Sequence, residues 1–96
     1  MSSARIQKIE RLLLKELAAI MHKFQIDYQP NSIITVTIVR ISPDLSFAKV
    51  YLSLFPPDKV QNVYKLVNDN KKLIRFQLGQ AIGKQMRIVP ELAFYI

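Results

Sequence analysis

The chain contains no cysteine and a single histidine among its 96 residues. Without cysteine there can be no disulfide, thiolate metal ligand or cysteine nucleophile, and this composition fits a reducing compartment, so we expect a cytoplasmic protein. The histidine, His22, has no carboxylate three or four residues away on a helix. The sequence therefore predicts no metal site, no catalytic triad and no cofactor.

Long hydrophobic runs are also missing. No apolar stretch approaches the roughly 20 residues that would span a bilayer. Charged residues interrupt the N-terminal "MSSARIQKIERLLLKEL", which excludes the apolar core of a signal peptide. Half of the residues are apolar and only two are glycine, as in a globular protein. We predict a single domain over residues 1–96, with one modest core and no membrane partner.

Acidic residues are scarce relative to basic ones. The chain has seven Asp and Glu and fourteen Lys and Arg, which gives a formal net charge of +7. Such a field concentrates polyanions near the protein, so nucleic acid is the leading class of partner. The alternative is that the basic balance serves solubility alone.

The first two-fifths of the chain predict a helix followed by a strand. Apolar residues recur every three or four positions from Arg5 to Phe24, the period of an amphipathic helix that Ser2 or Ser3 can cap. They are Ile6, Ile9, Leu13, Leu17, Ile20 and Phe24. Residues 33–41, "IITVTIVRI", are mostly β-branched and predict a strand. Its two faces are almost equally apolar, so the sequence does not indicate which face points towards the core.

Turn chemistry separates this strand from the next. In "SPDLS", Ser42, Pro43 and Asp44 suit the successive positions of a turn. The strand that follows alternates a core set, Ala48, Val50, Leu52 and Leu54, with Phe47, Lys49, Tyr51, Ser53 and Phe55. Lys49 is thus predicted to face away from the core, either as a nucleic-acid contact or as an exposed residue that discourages edge pairing.

Two helices and a last strand complete the pattern. Asp58 is expected to cap the second helix, and a kink near Asn70 separates it from the third. Residues 86–96, "MRIVPELAFYI", alternate like a strand, but Pro90 restricts them to an edge strand or a bulge. The sequence therefore predicts a compact α+β unit in the order helix, strand, strand, helix, helix, strand.

Basic residues gather in two regions of this arrangement. Arg5, Lys8, Arg11 and Lys15 share a face of the first helix. Lys71, Lys72 and Arg75 cluster at the start of the third helix, where free backbone N–H groups favour anions. Farther along that helix one face reads Arg75, Gly79, Gly83, Arg87. The bare glycine backbone could admit a phosphate chain, or it could let the helix pack closely against its neighbours.

Two long segments carry a family resemblance. "ITVTIVRISPDLSFAKVYLS" and "LIRFQLGQAIGKQMRIVPELAFYI" closely resemble ribosome-binding factor A of bacteria, over residues 5–96. The resemblance implies a type II KH-like domain of order α-β-β-α-α-β, with a three-stranded sheet and helices packed on one face. It also implies a non-catalytic assembly factor that binds the small (30S) ribosomal subunit and assists late maturation of its 16S rRNA precursor.

Two departures from the family pattern accompany the resemblance. The family's Ala-x-Gly kink corresponds here to Asn70-Lys71-Lys72, which lacks glycine. Family members usually continue past the "PELAFYI" strand into a tail, so a C-terminal tail is expected beyond this sequence. We expect the protein to be a monomer when it is free.

The predicted RNA-binding residues come from both basic regions and the second strand. They are Arg5, Lys8, Arg11, Lys15, Lys49, Lys71, Lys72, Arg75, Lys84 and Arg87. An alternative hypothesis is a protein-interaction module that uses the exposed aromatic residues Phe47, Tyr51 and Phe55. Membrane binding through the first helix is disfavoured, because its apolar stripe is needed to cover the sheet.

Overall fold

The computed structural model describes residues 3–96. The elements are α1 (Ala4–Tyr28), β1 (Ile33–Ile41), β2 (Phe47–Phe55), a 3-10 turn (Pro57–Lys59), α2 (Val60–Asp69), α3 (Lys71–Ile82) and β3 (Glu91–Tyr95). Within this range the sheet has three strands in the order β1-β2-β3, and the central β2 is antiparallel to β1 and parallel to β3. The predicted α+β class and the order α-β-β-α-α-β are confirmed.

Helix α1 begins as predicted and runs farther than expected. The Ser3 hydroxyl accepts a hydrogen bond from the Ile6 N–H at 3.1 Å, while the other candidate cap, Ser2, lies outside the described residues. The helix continues to Tyr28 instead of ending at Phe24. Its buried apolar residues are Leu13, Leu17, Met21 and Phe24. Met21, four residues after Leu17 and three before Phe24, joins the predicted stripe because it lies on the same face of the helix.

Strand β1 changes its buried face halfway along. Ile34 and Val36 are buried, and then Val39 and Ile41 are buried instead of Ile38. The pairing with β2 shifts between Val36 and Ile38, which is a β-bulge at Thr37. One extra residue reverses the inward and outward alternation. Each face of β1 therefore supplies part of the core, which explains why both faces are apolar.

Strand β2 has the predicted alternation. Ala48, Val50 and Leu52 are buried in the core and Leu54, the last of the predicted core set, is half-buried against it, whereas Lys49 is exposed on the opposite side. We call that side the outer sheet face. It comprises Ile33, Thr35, Ile38 and Arg40 of β1, Phe47, Lys49, Tyr51, Ser53 and Phe55 of β2, and Glu91, Ala93 and Tyr95 of β3.

The predicted start of the second helix was wrong. Pro57 opens a 3-10 turn that contains Asp58, and α2 begins only at Val60 with Lys59 in the cap position. No side-chain hydrogen bond caps this helix. The proline pair at 56 and 57 fixes the chain in this short turn, so Asp58 lies too early in the sequence to act as the cap.

The kink between α2 and α3 is confirmed at Asn70. Its N–H is shared between the carbonyls of Leu66 and Val67, both at 3.1 Å, and its side-chain amide also donates to the Leu66 carbonyl. With φ −107° and ψ 18°, Asn70 does not adopt the left-handed conformation. The chain therefore turns here without a glycine, because these hydrogen bonds satisfy the last carbonyls of α2.

Strand β3 is the predicted edge strand but is shorter than expected. It starts at Glu91, and residues 86–90 form no strand. Pro90, Leu92 and Phe94 are buried, whereas Ile88 and Ile96, assigned by alternation to the same face, are exposed. Pro90 stands directly before the strand, where its missing N–H interrupts no ladder.

Helix α1 satisfies part of the free edge of β1. Gln25 Oε1 accepts a hydrogen bond from the Ile34 N–H at 2.8 Å, and Glu10 Oε2 accepts one from the Ile41 N–H at 3.0 Å. Glu10 and Gln25 are fifteen residues apart in the helix, about 22 Å, and Ile34 and Ile41 are seven residues apart in the strand, about 23 Å. The two contacts therefore match in spacing. Glu10 is buried, and its other oxygen lies 3.8 Å from the guanidinium of Arg40. The helix thereby protects an edge that could otherwise pair with another chain.

Substituting neighbouring residues of β2 tests the alternation. Val50→Asp should prevent folding, because it places an unpaired charge at a position with no solvent exposure. Lys49→Ala should fold normally, since Lys49 is exposed. Circular dichroism and urea denaturation measure both. Equal behaviour of the two variants would contradict the register.

Glu10→Ala tests the contact between α1 and the edge of β1. Removing the carboxylate leaves the buried Ile41 N–H without an acceptor, and we expect a loss of about 1–3 kcal/mol in the free energy of unfolding. Glu10→Gln keeps an acceptor and should lose less. Urea denaturation of both variants measures the difference, and equal losses would argue against the hydrogen bond.

Candidate nucleic-acid interface

Three of the predicted RNA-binding residues meet at one end of the molecule. Arg5 and Lys8 of α1 and Arg87 from the segment after α3 line one groove of about 900 Å³, which we call the end groove. Its other lining residues are Ile9, Leu12, Pro43, Asp44, Leu45, Gln85, Met86 and Ile88. The groove thus combines cations from opposite ends of the sequence with a largely apolar floor.

The turn between β1 and β2 forms one wall of the end groove. Asp44 Oδ1 accepts hydrogen bonds from the Ser42 hydroxyl at 2.7 Å, the Ser46 hydroxyl at 2.8 Å and the Ser46 N–H at 3.1 Å. These bonds hold the pKa of the Asp44 carboxyl below its usual value, and the bond from Ser42 has the largest effect. Asp44 is therefore ionised at neutral pH and bonded within its own turn, so the three cations outnumber it in the groove.

Arg75 fixes the segment that leads into β3. Its Nη2 donates to the Val89 carbonyl at 2.7 Å and its Nε donates to the Pro90 carbonyl at 3.1 Å, while Glu91 lies 3.6 Å away. These contacts engage the guanidinium with the protein's own backbone. Arg75 therefore serves the fold, which the sequence reading as a phosphate ligand did not anticipate.

Gly79 of α3 serves packing rather than an open strip. A Cβ at Gly79 would stand 3.1 Å from Cγ2 of Val89, so the absent side chain lets Val89 lie against the helix. Gly83 ends α3 at the C-cap position. Of the two readings of this face, the structure favours close packing, since Val89 occupies the space beside Gly79.

A second depression lies on the other side of the same segment. It is lined by Lys72, Arg75, Phe76, Gly79, Gln80 and Val89. Phe76, in the middle of α3, is 64% exposed. Because Arg87 and Ile88 border the end groove and Val89 borders this depression, residues 87–89 separate the two.

The remaining predicted residues are dispersed. Arg11 lies beside β1 in a depression with Glu10 and Arg40, and Lys49 lies on the outer sheet face. Lys15 is exposed on α1, Lys84 is exposed after α3, and Lys71 is half-buried at the start of α3. Arg40 was missed, because the bulge that turns it outward leaves no signal in the sequence.

Neither a metal-binding cluster nor a membrane-spanning helix occurs among the described residues. Residues 3–96 contain no group of three or more His, Cys, Asp or Glu side chains that could hold a metal ion. In the same range, no helix is both long enough and apolar enough to cross a membrane.

Fold and surface together define a small basic α+β protein with a cation-lined groove at one end of its sheet. Comparison with protein families then identifies its relatives: the model for ribosome-binding factor A matches residues 5–96. The chain belongs to the ribosome-binding factor A family.

Individual relatives agree with this assignment. Ribosome-binding factor A of Cytophaga hutchinsonii is 44% identical over 96 residues, which cover all of this chain and 72% of that protein. The protein of the same name from Christiangramia forsetii is 38% identical over 93 residues, covering 96% of this chain and 71% of the relative.

Solved structures share the fold. The crystal structure of ribosome-binding factor A from Thermus thermophilus superposes with a TM-score of 0.76 at 22% identity, covering 94% of this chain and 93% of that one. A homology model of the Thermus thermophilus protein, fitted into the cryo-electron-microscopy map of a 30S complex, has a TM-score of 0.73 at 25% identity. It covers 91% of this chain and 89% of its own.

Replacing Arg75 tests its structural function. Arg75→Lys cannot reproduce both hydrogen bonds to the carbonyls of Val89 and Pro90, and we expect a loss of about 0.5–1.5 kcal/mol in the free energy of unfolding. Lys72→Ala, in the same depression but exposed, is the control and should change stability little. Urea denaturation measures both, and an Arg75→Lys variant as stable as the parent would contradict the assignment.

Proposed function

We propose that this protein is a ribosome assembly factor that binds the small (30S) ribosomal subunit and assists late maturation of its 16S rRNA precursor. It acts by binding, without catalysis, as a monomeric RNA-binding domain in the cytoplasm. Membership of the ribosome-binding factor A family carries this proposal. The Thermus relative fitted into the map of a 30S complex supports the choice of partner.

The end groove is the part of the surface that best suits rRNA phosphates. Arg5, Lys8 and Arg87 are exposed and converge there, and phosphate contacts supply much of the affinity of proteins for nucleic acid. The apolar floor beside them can accept the sugar or base of an unpaired nucleotide. We propose that Lys15, Lys71, Lys72 and Lys84 add to the positive field around the groove, and that Arg75 contributes mainly by holding Arg87 in place.

A paired charge reversal tests the groove. Lys8→Glu with Arg87→Glu should weaken co-sedimentation with isolated small subunits, because two phosphate contacts become repulsive. The plot of log binding constant against log salt concentration should also become shallower, by about one for each contact removed. Circular dichroism should stay the same, since both side chains are exposed.

The matched control carries the same change of charge at the other end of the molecule. Lys23→Glu with Lys59→Glu alters residues near the end of α1 and after β2, away from the end groove. It should bind small subunits more tightly than the groove variant. Equal weakening by both pairs would mean that net charge alone governs binding, and no weakening by either would count against the proposed function.

A further inference from the structure

The outer sheet face carries exposed apolar residues that neither the core nor the end groove uses. Phe55 is 59% exposed, Ile33 53% and Tyr95 40%, and Ile38 and Phe47 are exposed as well. The helices pack on the other side, where the buried residues of β1, β2 and β3 lie. This face is therefore a second surface, separate from the groove proposed to bind rRNA.

Two tyrosines form the centre of this face. Tyr51 and Tyr95 are register partners on β2 and β3, and their rings stack with centroids 5.4 Å apart and an interplanar angle of 27°. Ile38 pairs with Tyr51 from the other side. Since β3 is an edge strand among the described residues, no strand covers the far side of Tyr95. The stacked pair can be extended by a further planar group.

Two cations lie beside the tyrosine row, which consists of Ile38, Tyr51 and Tyr95. Arg40 and Lys49 are cross-strand partners one step along the sheet, about 7 Å from Ile38 and Tyr51 by strand geometry. The side chain of Arg40 is 62% exposed, and its Nη1 lies 3.8 Å from Oε1 of Glu10, which is longer than a hydrogen bond. Glu91, the acid of this face, is the register partner of Phe47 and lies 3.6 Å from Arg75. The two cations Arg40 and Lys49 therefore outnumber the acid on this face.

The pattern matches a single nucleic-acid strand better than a protein. Thr35 and Ser53 pair across the strands and separate Ile33 and Phe55 from the tyrosine row, so the apolar residues form rows and no continuous patch. A second copy of this chain would bring Arg40 and Lys49 against a surface of the same net charge. Bases stack on aromatic rings while cations hold the phosphates, which uses both kinds of residue present here.

We propose that the outer sheet face binds single-stranded RNA, with bases stacked on Tyr51 and Tyr95 and phosphates held by Arg40 and Lys49. This surface lies opposite the helices and acts in addition to the end groove. The inference rests on the proposed function only in taking RNA as the natural partner. Its test uses free RNA and needs no ribosomal subunit.

Binding of a short fluorescein-labelled oligouridine, followed by fluorescence anisotropy, measures the tyrosine contribution. Tyr51→Leu and Tyr95→Leu keep apolar bulk but lose the ring face, and each should weaken binding about 5-fold to 150-fold. Tyr28→Leu is the control, because Tyr28 is exposed like Tyr95 and packs on Phe24 of α1, away from this face. It should bind like the parent.

Two measurements do not depend on the stability of the tyrosine variants. In the parent protein, the oligonucleotide should shift the ring proton resonances of Tyr51 and Tyr95 in NMR spectra and leave those of Tyr28 and Tyr64 in place. Lys49→Gln should make the salt dependence of binding shallower by about one. Duplex RNA should compete poorly, since its bases are already stacked.

The outcomes separate this inference from the proposed function. Unchanged oligouridine binding by the tyrosine variants, or resonance shifts confined to residues of the end groove, would overturn the stacking surface and leave groove binding intact. The proposal would also be overturned, in favour of a protein interface, if the tyrosine variants bound oligouridine normally but lost a protein that the parent binds even after nuclease treatment. Failure of small-subunit binding with normal oligouridine binding would instead remove the proposed function alone.

Discussion

Helix α1 and the free edge of β1 are tied together at two points, and the layout of the molecule depends on this contact. Gln25 and Glu10 accept the N–H groups of Ile34 and Ile41, at spacings that match the rise of a helix and of a strand. The helix is thereby held lengthwise along the sheet, where its apolar stripe covers the buried face. The other face is left open, and the cationic first turns of α1 lie at the end where β1 turns into β2.

The parallel pairing of β3 with β2 imposes the second constraint. A parallel strand needs a crossover, here α2 and α3, followed by a return segment whose backbone groups lack strand partners. Arg75 satisfies the carbonyls of Val89 and Pro90, and Gly79 admits the side chain of Val89. Because the same segment carries Arg87, the stability of the crossover and the shape of the end groove are coupled. Substitutions inside α3 can therefore alter the end groove without lining it.

Local periodicity predicted most of the elements. The alternation of β2, the first helix and the kink at Asn70 follow from residues close together in the chain, because side-chain spacing reports directly on helix and strand geometry. The bulge at Thr37 could not be read in this way. A strand with two apolar faces can bury either one, so the sequence does not mark the residue at which the buried face changes. The exposure of Arg40 on the outer sheet face depends on this bulge.

The order of amino acids alone establishes the α+β class, the element order, the excess of positive charge and, through two long segments, the family. Which cations act together depends on tertiary packing. Arg5 and Arg87 are at opposite ends of the chain, yet they share a groove. Arg11 lines a different depression, and Arg75 donates to the carbonyls of Val89 and Pro90. Helix and strand periods fix side-chain directions within one element, but the meeting of distant side chains follows from how whole elements pack.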